Sequence, residues 1–599
     1  MIEKIFFRKL LRPIRRLLRK VLPFSWIMKT LISMQRFNEA VYLCILERKY
    51  HIATVYLSAI NWNTLRYYPD QMRPFFQELT IRMLEHRNYE YEEMRLIKKY
   101  SSVPLKIEDY ILFFFSDTTK KKLLKKLRLN CNHDSYLAVI KSSIQKMYKF
   151  SYHEGVYSSI DLFYAVRHLL LHTYHNGEGY LVGDLGIISL DIQINLQKNL
   201  PTPSPSLIAL LNSFGIDSID DVKLLTPDWS ALIGHNGHLH IHMIMKELGW
   251  WNGKPVLLAY KNRIANSTFL SLFKDILPTI ILDENVHADV WHELASLNPF
   301  LGVSHQFFQF KDGSTKYWND AGAMAVAEWE RTKGTYPLRD IYDRITEKNP
   351  LIHGEYEELR KRWGMTSNDW FVCLHMRDSN TRNETDGRGE SIRNATFDNY
   401  LESINYITKQ GGWVIRMGSN KAPKLPKIDR VIDYTQERLQ SPALDIHLMR
   451  MARMFIGTTS GFAYVASSFG IPTAMVNAIS SVGLLWTRNT RFCLKHIHTH
   501  TGRMLSQKEI TSEKYRWAYP THESLQRAEL IVKENSSDEI LETVKEVMHL
   551  SFESKNSSSL VEKWRTCLSI NYFYGASLPS SYFLEKHQNS FLALETENS

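Results

Sequence analysis

Short apolar runs alternate with helical segments between residues 370 and 480. The apolar runs have the length of buried strands and lie at 371–375, 413–417, 431–433, 454–456 and 473–476. The segments between them place apolar residues at helical spacing, most clearly at 397–407, 444–451 and 462–469. A strand–helix–strand order of this kind is typical of a doubly wound parallel sheet, in which ligands bind beyond the carboxyl ends of the strands.

A second region with the same character precedes this one. Three prolines alternate with hydroxyl residues over 201–206, which indicates a linker. Apolar runs at 256–259 and 279–282 and a helical segment at 241–248 follow it. We therefore predict two α/β domains, at 207–360 and 361–550. They are preceded by an α-helical module at 31–200 and followed by a tail at 551–599.

Residues 1–30 have the pattern of a basic amphipathic helix. Nine lysines and arginines stand there against the single acid Glu3, so this segment supplies most of the formal net charge of +11. An apolar face with a basic rim is typical of a helix on an anionic membrane surface. The alternative is a helix docked on the protein's own next domain. Nucleic acid is disfavoured as a partner, because no base-reading motif accompanies the charge.

The cysteines give no sign of a cross-linked or metal-stapled fold. The chain has 5 of them, widely spaced and never in a C-x-x-C pair. We therefore predict neither a disulfide framework nor a cysteine zinc cage. The cysteines indicate a protein of a reducing compartment. The sequence has no apolar stretch long enough to span a bilayer. The expected location is the cytoplasm, peripheral at the cytoplasmic face of the inner membrane.

The segment 455–462, FIGTTSGF, predicts an anion site. A buried strand ends at Ile456 and a helix begins at about Gly461, so residues 458–461 (Thr458, Thr459, Ser460 and Gly461) stand at a helix N-terminus. Free backbone N–H groups, the positive end of the helix dipole and three hydroxyls suit a diphosphate. The alternative is a tight strand-to-helix turn with hydroxyl caps.

Other polar residues follow the neighbouring predicted strands. Arg377 comes directly after the strand 371–375, where its guanidinium can clamp a phosphate. The further donor-binding candidates at this edge are Arg393, Arg416, Gly418, Asp433 and Asp445. Either aspartate suits a ribose or a base N–H, but each can equally cap a helix or pair with a neighbouring arginine.

The first α/β domain offers candidates for a general base. The segment 233–240, IGHNGHLH, is predicted as a loop before the helix 241–248, and His235 or His238 there can take a proton near neutral pH. Asp283 and Glu284, after the run 279–282, are the alternatives. A metal is not predicted at the histidines, because no H-E-x-x-H pattern is present. No convincing D-x-D triplet occurs either, which favours a metal-independent reaction without a cofactor.

The stretch from 370 to 477 resembles a family of bacterial glycosyltransferases encoded among surface-polysaccharide genes. The resemblance lies in FVCLHMRD, SIRNATFDNYLESINYITKQGGWVIRMG, VIDY and DIHLMRMARMFIGTTSGF, in that order. The HMR and GTTSGF elements are distantly similar to donor-site elements of fucosyltransferases with a GT-B fold. This resemblance implies two Rossmann-like domains facing a cleft, with Arg377 and residues 458–461 toward the diphosphate of the donor.

The resemblance and the site candidates together predict a glycosyltransferase. It is expected to move a sugar, with inversion, from a nucleotide-diphosphate donor to a glycan or lipid-linked acceptor. Arg377 is counted among the catalytic residues because it would hold the departing diphosphate. Two rival hypotheses share the nucleotide cleft: a nucleotide-sugar epimerase, and a non-catalytic scaffold that binds sugar nucleotides.

Overall fold

Two parallel β-sheets organise the part of the chain that the structure describes. The structure is a computed structural model. It describes residues 192–592 apart from 221, 252, 284–289, 291–292, 295, 305–306, 311–314, 348–349, 379–389, 480–486, 513–514, 516–524, 526–527, 551–558 and 569–573. The predicted basic helix at 1–30 and nearly all of the predicted helical module lie outside the described residues. Among the helices that are described, none is long and apolar enough to cross a membrane.

The first sheet has four parallel strands in the order β3-β2-β1-β4. They are β1 Val222–Leu225, β2 Lys254–Tyr260, β3 Thr279–Leu282 and β4 Gly302–Val303. A separate antiparallel pair follows, β5 Phe307–Gln309 with β6 Thr315–Tyr317. The helices of this half and of the connection to the next are α1 Pro205–Ser213, α2 Ile233–Glu247, α3 Ser267–Ser271, α4 Asn298–Leu301, α5 Trp318–Thr332, α6 Pro337–Glu347 and α7 Pro350–Trp363.

The second sheet has seven parallel strands in the order β15-β12-β11-β10-β7-β8-β9. They are β7 Phe371–His375, β8 Trp413–Arg416, β9 Val431–Asp433, β10 Met454–Gly457, β11 Thr473–Ala478, β12 Thr490–Leu494 and β15 Leu578–Pro579. An antiparallel pair, β13 His496–Thr499 and β14 Leu530–Lys533, lies beside it. The helices are α8 Leu401–Lys409, α9 Pro442–Met451, α10 Gly461–Ser468, α11 Gln507–Thr511, α12 Ser537–Met548, α13 Ser559–Thr566 and α14 Ser581–Phe591.

Helices cover both faces of the second sheet. On one face, α8 and α12 bury a continuous apolar core with the strands, which includes Val372, Ile404, Val414, Ile456 and Val544. On the other face, the thiol of Cys373 points to α9 and lies 3.6 Å from the carbonyl of Leu448. Strands covered on both sides must be apolar throughout, which is why these runs could be read from the sequence. The prediction of a mixed α/β chain with parallel sheets is confirmed.

Each sheet reverses its winding direction once. In the second sheet the chain runs from β7 to β8 and β9 on one side, then returns to the other side of β7 with β10. In the first sheet it runs from β1 to β2 and β3, then returns beside β1 with β4. The crevices beyond the carboxyl ends of β7 and β10, and of β1 and β4, are therefore the two switch points where ligands of such sheets bind.

The prediction that residues 233–240 form a loop is wrong, because α2 begins at Ile233 and includes this whole segment. Two glycines and an asparagine in eight residues gave it the composition of a loop. The glycines instead permit a close helix crossing. A Cβ added at Gly237 would lie 2.1 Å from Cδ1 of Tyr464 in α10, and one at Gly461 would lie 2.0 Å from Cγ2 of Ile233.

The region after residue 550, predicted as a tail, contributes to the second half. Helices α13 and α14 fold there, and β15 adds an edge strand beside β12. Phe583, Leu584 and Phe591 of α14 are buried. Residues 593–599 lie outside the described part of the chain.

The helix crossing gives a stability prediction. Gly237→Ala should destabilise the protein by about 1–3 kcal/mol, because its Cβ overlaps the ring of Tyr464. Gly234→Ala is the matched control in the same helix. Its Cβ would meet no atom closer than 3.9 Å, and alanine is the better helix former. Thermal unfolding of both variants checks this. Equal melting temperatures would show that the crossing is not tight.

Candidate functional site

The loops after β7 and β10 are joined by hydrogen bonds at the switch point of the second sheet. The backbone N–H of Thr458 donates to the carbonyl of His375 at 3.2 Å. The N–H of Arg377 donates to Oγ1 of Thr458 at 3.3 Å, and the N–H of Ile479 donates to Oγ1 of Thr459 at 3.3 Å. Both threonines are fully buried. Their hydroxyls therefore fix the geometry of the crevice.

The next two residues carry the anion-binding features that the sequence predicted. Ser460 is the residue before α10, and its hydroxyl forms no capping bond to the helix. Its Oγ is buried and has no hydrogen-bond partner. The first backbone N–H groups of α10 have no partner within the helix and stand at the positive end of its dipole. Ser460 and Gly461 thus offer donors where a diphosphate is expected.

Arg377 lies half-buried at the lip of the same crevice. Its carbonyl accepts the N–H of Ala395 at 3.1 Å, which brings the segment after Arg393 beside the end of β7. Burial, together with the charges of Arg377 and Arg416, lowers the pKa of His375 to about 3, so that its imidazole is neutral. The His375 ring packs on Phe462 of α10 at 5.1 Å. His375 is thus a packed residue within a field of positive charge.

A second cation near Arg393 was not foreseen from the sequence. Lys495 directly follows β12, is 5% exposed, and donates through Nζ to the carbonyl of Asn394 at 2.6 Å. Burial lowers the pKa of this ammonium. The one signal in the sequence was a charged residue immediately after an apolar run. Its position at the carboxyl end of β12 gives the crevice a third basic side chain near its rim.

At the predicted ligand edge of the sheet, ion pairs and hydrogen bonds within the protein hold Arg416, Gly418 and Asp433. The guanidinium of Arg416 is 4% exposed and lies 3.6 Å from the carboxylate of Asp433 and 4.0 Å from that of Asp378. Asp433 also accepts from the Thr435 hydroxyl at 2.6 Å. Gly418 has φ 151°, and its carbonyl accepts from Gln440. This set holds the floor of the crevice between β7, β8 and β9.

Asp445 lies in the first turn of α9, on the face toward Tyr434. Its Oδ1 is buried and has no hydrogen-bond partner. Burial raises the pKa of this carboxyl from the ordinary 3.8 to about 7, and the Tyr434 hydroxyl opposes the rise. The side chain therefore holds a proton in mildly acidic solution.

The base candidate His235 lies at the switch point of the first sheet. Its Nδ1 is 2.7 Å from the backbone carbonyl of Asp228, in the loop after β1. A carbonyl can only accept, so Nδ1 carries the hydrogen and the neutral imidazole keeps its lone pair on Nε2. His235 is half-buried in the first turn of α2, next to Gly234. A general base that accepts a proton at Nε2 needs this tautomer.

The other histidines of α2 lie in the core. His238 is 3% exposed and packs on Trp318 at 4.6 Å. His242 is enclosed by the rings of Trp229, Trp251 and Phe308 at 4.5–4.7 Å. Burial lowers the pKa of both His240 and His242 to about 3, so both are neutral. His238 lies one turn from His235, stacked on it at 5.5 Å, and supports its ring.

Asp283, the alternative base, follows β3 at the far edge of the first sheet. Its carboxylate pairs with Nζ of Lys261 at 3.3 Å. The order β3-β2-β1 puts two strand spacings, about 10 Å, between the ends of β3 and β1. Asp283 is therefore away from the switch point where His235 lies. Glu284 is outside the described residues.

The two switch points meet. The first turn of α2 touches the first turn of α10, where a Cβ added at Gly461 would be 3.2 Å from the backbone nitrogen of Gly234. Tyr464 of α10 lies on Gly237, and its ring is 6.3 Å from that of His238. His235 thus projects from a helix start that adjoins the predicted diphosphate loop. The structure brings His235, Ser460 and Gly461 to one junction and leaves Asp283 apart.

Asp445 gives a pH-dependent stability prediction. Its pKa is raised on folding, so between pH 4 and 7 the folded protein holds a proton that the unfolded chain releases. Stability should therefore fall as pH rises through this range. Asp445→Asn should flatten the fall, by on the order of a few kcal/mol, because the amide has no proton to lose. Urea unfolding at several pH values measures it, with the exposed Asp275→Asn as control. An unchanged slope in Asp445→Asn would refute the burial effect.

Comparisons with known proteins give little beyond this geometry. No family model matches the chain, and no curated protein matches it. The glycosyl transferase family 9 structure from Veillonella parvula DSM 2008 is 10% identical to this chain in sequence. The match covers 55% of this chain and 97% of that one, with a TM-score of 0.30. The wall teichoic acid polymerase TagF is 10% identical and covers 45% of this chain and 77% of its own, with a TM-score of 0.21. The chain is similar to both, at scores that do not establish a shared fold.

Proposed function

We propose that this chain is a glycosyltransferase of the GT-B type. It transfers a sugar from a nucleotide-diphosphate donor to a hydroxyl of a glycan or lipid-linked acceptor. The donor lies against the second sheet and the acceptor against the first. The observation that carries the proposal is the junction of the two switch points, with His235 on one side and the start of α10 on the other. Such crevices are the ligand sites of parallel sheets.

In this proposal His235 is the general base. Nε2 takes the proton of the acceptor hydroxyl while the carbonyl of Asp228 holds Nδ1–H. The imidazolium that forms is stabilised by the same carbonyl. The acceptor oxygen attacks the anomeric carbon from the side of the first sheet, opposite the leaving diphosphate. Attack from that side inverts the anomeric configuration.

The leaving diphosphate is stabilised from the second sheet. In this proposal the Arg377 guanidinium, the Ser460 hydroxyl and the first N–H groups of α10 stabilise the charge that grows on it. Arg393 and Lys495 add positive charge at the rim. These groups suit a reaction without a catalytic metal. In this proposal the ion pair of Arg416 and Asp433 positions the floor of the crevice. The suggestion that the acceptor is lipid-linked rests on the basic segment 1–30.

A thermal-shift panel tests the donor site. GDP, UDP, CMP and ADP, each alone and as nucleotide sugars, are added to the wild type. We expect one nucleotide to raise the melting temperature selectively, because binding to the folded state adds to the free energy of unfolding. Arg377→Ala should abolish most of that shift, because one phosphate clamp is lost.

The matched control is Arg453→Ala. Arg453 precedes β10 at the opposite edge of the same sheet, is exposed, and stacks on Trp370 at 4.6 Å. This variant should keep the full ligand-induced shift. If no nucleotide shifts the folded wild type, the donor-site proposal is wrong. A selective shift without any turnover would instead support the non-catalytic scaffold.

His235→Ala tests the base. Turnover should fall by about 10²–10⁴-fold while the nucleotide-induced thermal shift remains, because the base acts on the acceptor and not on the donor. Asp283→Asn should keep most of the activity, since its carboxylate pairs with Lys261. The reverse pattern would make Asp283 the base. Product analysis by NMR gives the anomeric configuration, and conversion of the donor without an acceptor would indicate an epimerase.

A further inference from the structure

Three side chains from distant parts of the sequence converge beyond the end of β12. His496 opens β13, Glu539 lies in the first turn of α12, and His587 lies in α14. Their ligand atoms all lie within 4.8 Å of one another, and this is the one such group of three or more histidine, cysteine or acidic side chains among the described residues. We propose that it is a Zn²⁺ site that ties α14 to α12 and β13.

The two imidazoles contact different oxygens of the same carboxylate. Nε2 of His496 is 2.9 Å from Oε2 of Glu539, and Nε2 of His587 is in close contact with Oε1. The two ring centroids are 4.7 Å apart and the ring planes are inclined by 64°, so the imidazoles also contact each other edge to face. Ligand atoms around tetrahedral zinc are about 3.3 Å apart, so small side-chain shifts seat the ion. Each ring then keeps its hydrogen on Nδ1.

The carboxylate is the most deeply buried member of the group. Glu539 is 1% exposed, and Oε2 also accepts the backbone N–H of Ser536 at 2.9 Å in a capping box. Both of its oxygens thus face the histidines, Oε2 toward His496 and Oε1 toward His587. A buried carboxylate with two imidazoles is a donor set that suits zinc.

One cation competes for the carboxylate. Nζ of Lys586 lies 3.5 Å from Oε1 of Glu539 but only 2.7 Å from the carboxylate of Asp538. Asp538 also accepts from the Tyr582 hydroxyl. The ammonium is thus held mainly by Asp538, outside the triangle of ligand atoms. Bound zinc would shift it further toward Asp538 without removing its partner.

Partial exposure gives the ion an entry path and an open position. The side chains of His496 and His587 are 11% and 17% exposed, so water can fill the fourth place of a tetrahedral ion. β12 lies two strands from β10, about 10 Å along the sheet. The ion is therefore structural in this proposal. Lys495 connects it to the segment at Asn394, because it adjoins His496.

Zinc binding by the full chain tests the site. The protein is stripped with a chelator, exchanged into buffer, and titrated with Zn²⁺ against a chromophoric chelator. The wild type should take up one tight equivalent and melt several degrees higher with it. His587→Gln and His496→Gln should each weaken that equivalent by at least about 100-fold. His549→Gln, at the exposed far end of α12, is the matched control and should bind as the wild type does.

Two outcomes would overturn the proposal: no tight zinc in the wild type, or an equivalent that survives in both variants. The group would then be a hydrogen-bonded cluster alone. X-ray absorption of the zinc-loaded wild type decides the matter even where the variants fail to fold. Two imidazoles and oxygen are expected around the ion, and thiolate ligands would place it elsewhere. None of these readouts depends on transferase activity.

Discussion

The close approach of α2 and α10 is the constraint on which the rest of the described structure depends. Tyr464 lies where a Cβ of residue 237 would stand, and Ile233 lies where a Cβ of residue 461 would stand. Only glycine permits this contact. Other contacts reinforce it away from the crossing, since Asn266 donates to the carbonyl of Pro442 at 3.0 Å. The two sheets therefore present their switch points to each other across a junction in which the glycines leave room for Tyr464 and Ile233.

The polar groups near this junction are of two kinds. Some hold the loops of the crevice together, and others face into the crevice. Thr458 and Thr459 accept backbone N–H groups, and Arg416 pairs with two aspartates, so these side chains hold three loops in register. A buried ion pair contributes little net stability, but removing one partner is costly. Ser460, in contrast, keeps a buried hydroxyl without a partner. We therefore expect a ligand bound by the second sheet to contact the Ser460 hydroxyl rather than the Arg416 guanidinium, which is already paired.

The sequence predicted what depends on local pattern and missed what depends on tertiary contact. The strands from 371 to 478 were found because both faces of a parallel sheet are buried and leave continuous apolar runs. The start of α2 was missed because glycine is locally a helix breaker, whereas here it is required by Tyr464. The tautomer of His235 was equally out of reach, because a carbonyl from another segment sets it.

The histidine–glutamate group shows the same limit in sharper form. Motif reasoning finds metal ligands at short spacings, such as two histidines one helical turn apart, because one element then presents both. Here the neighbours of Glu539 are 43 and 48 residues away in the chain. The fold alone brings them together, since α12 covers the sheet and α14 packs on α12. The four histidines of α2 gave the stronger sequence signal, yet His238, His240 and His242 are packed among apolar and aromatic side chains. Burial and convergence of ligand atoms, and not histidine density, are therefore what point to the proposed zinc site.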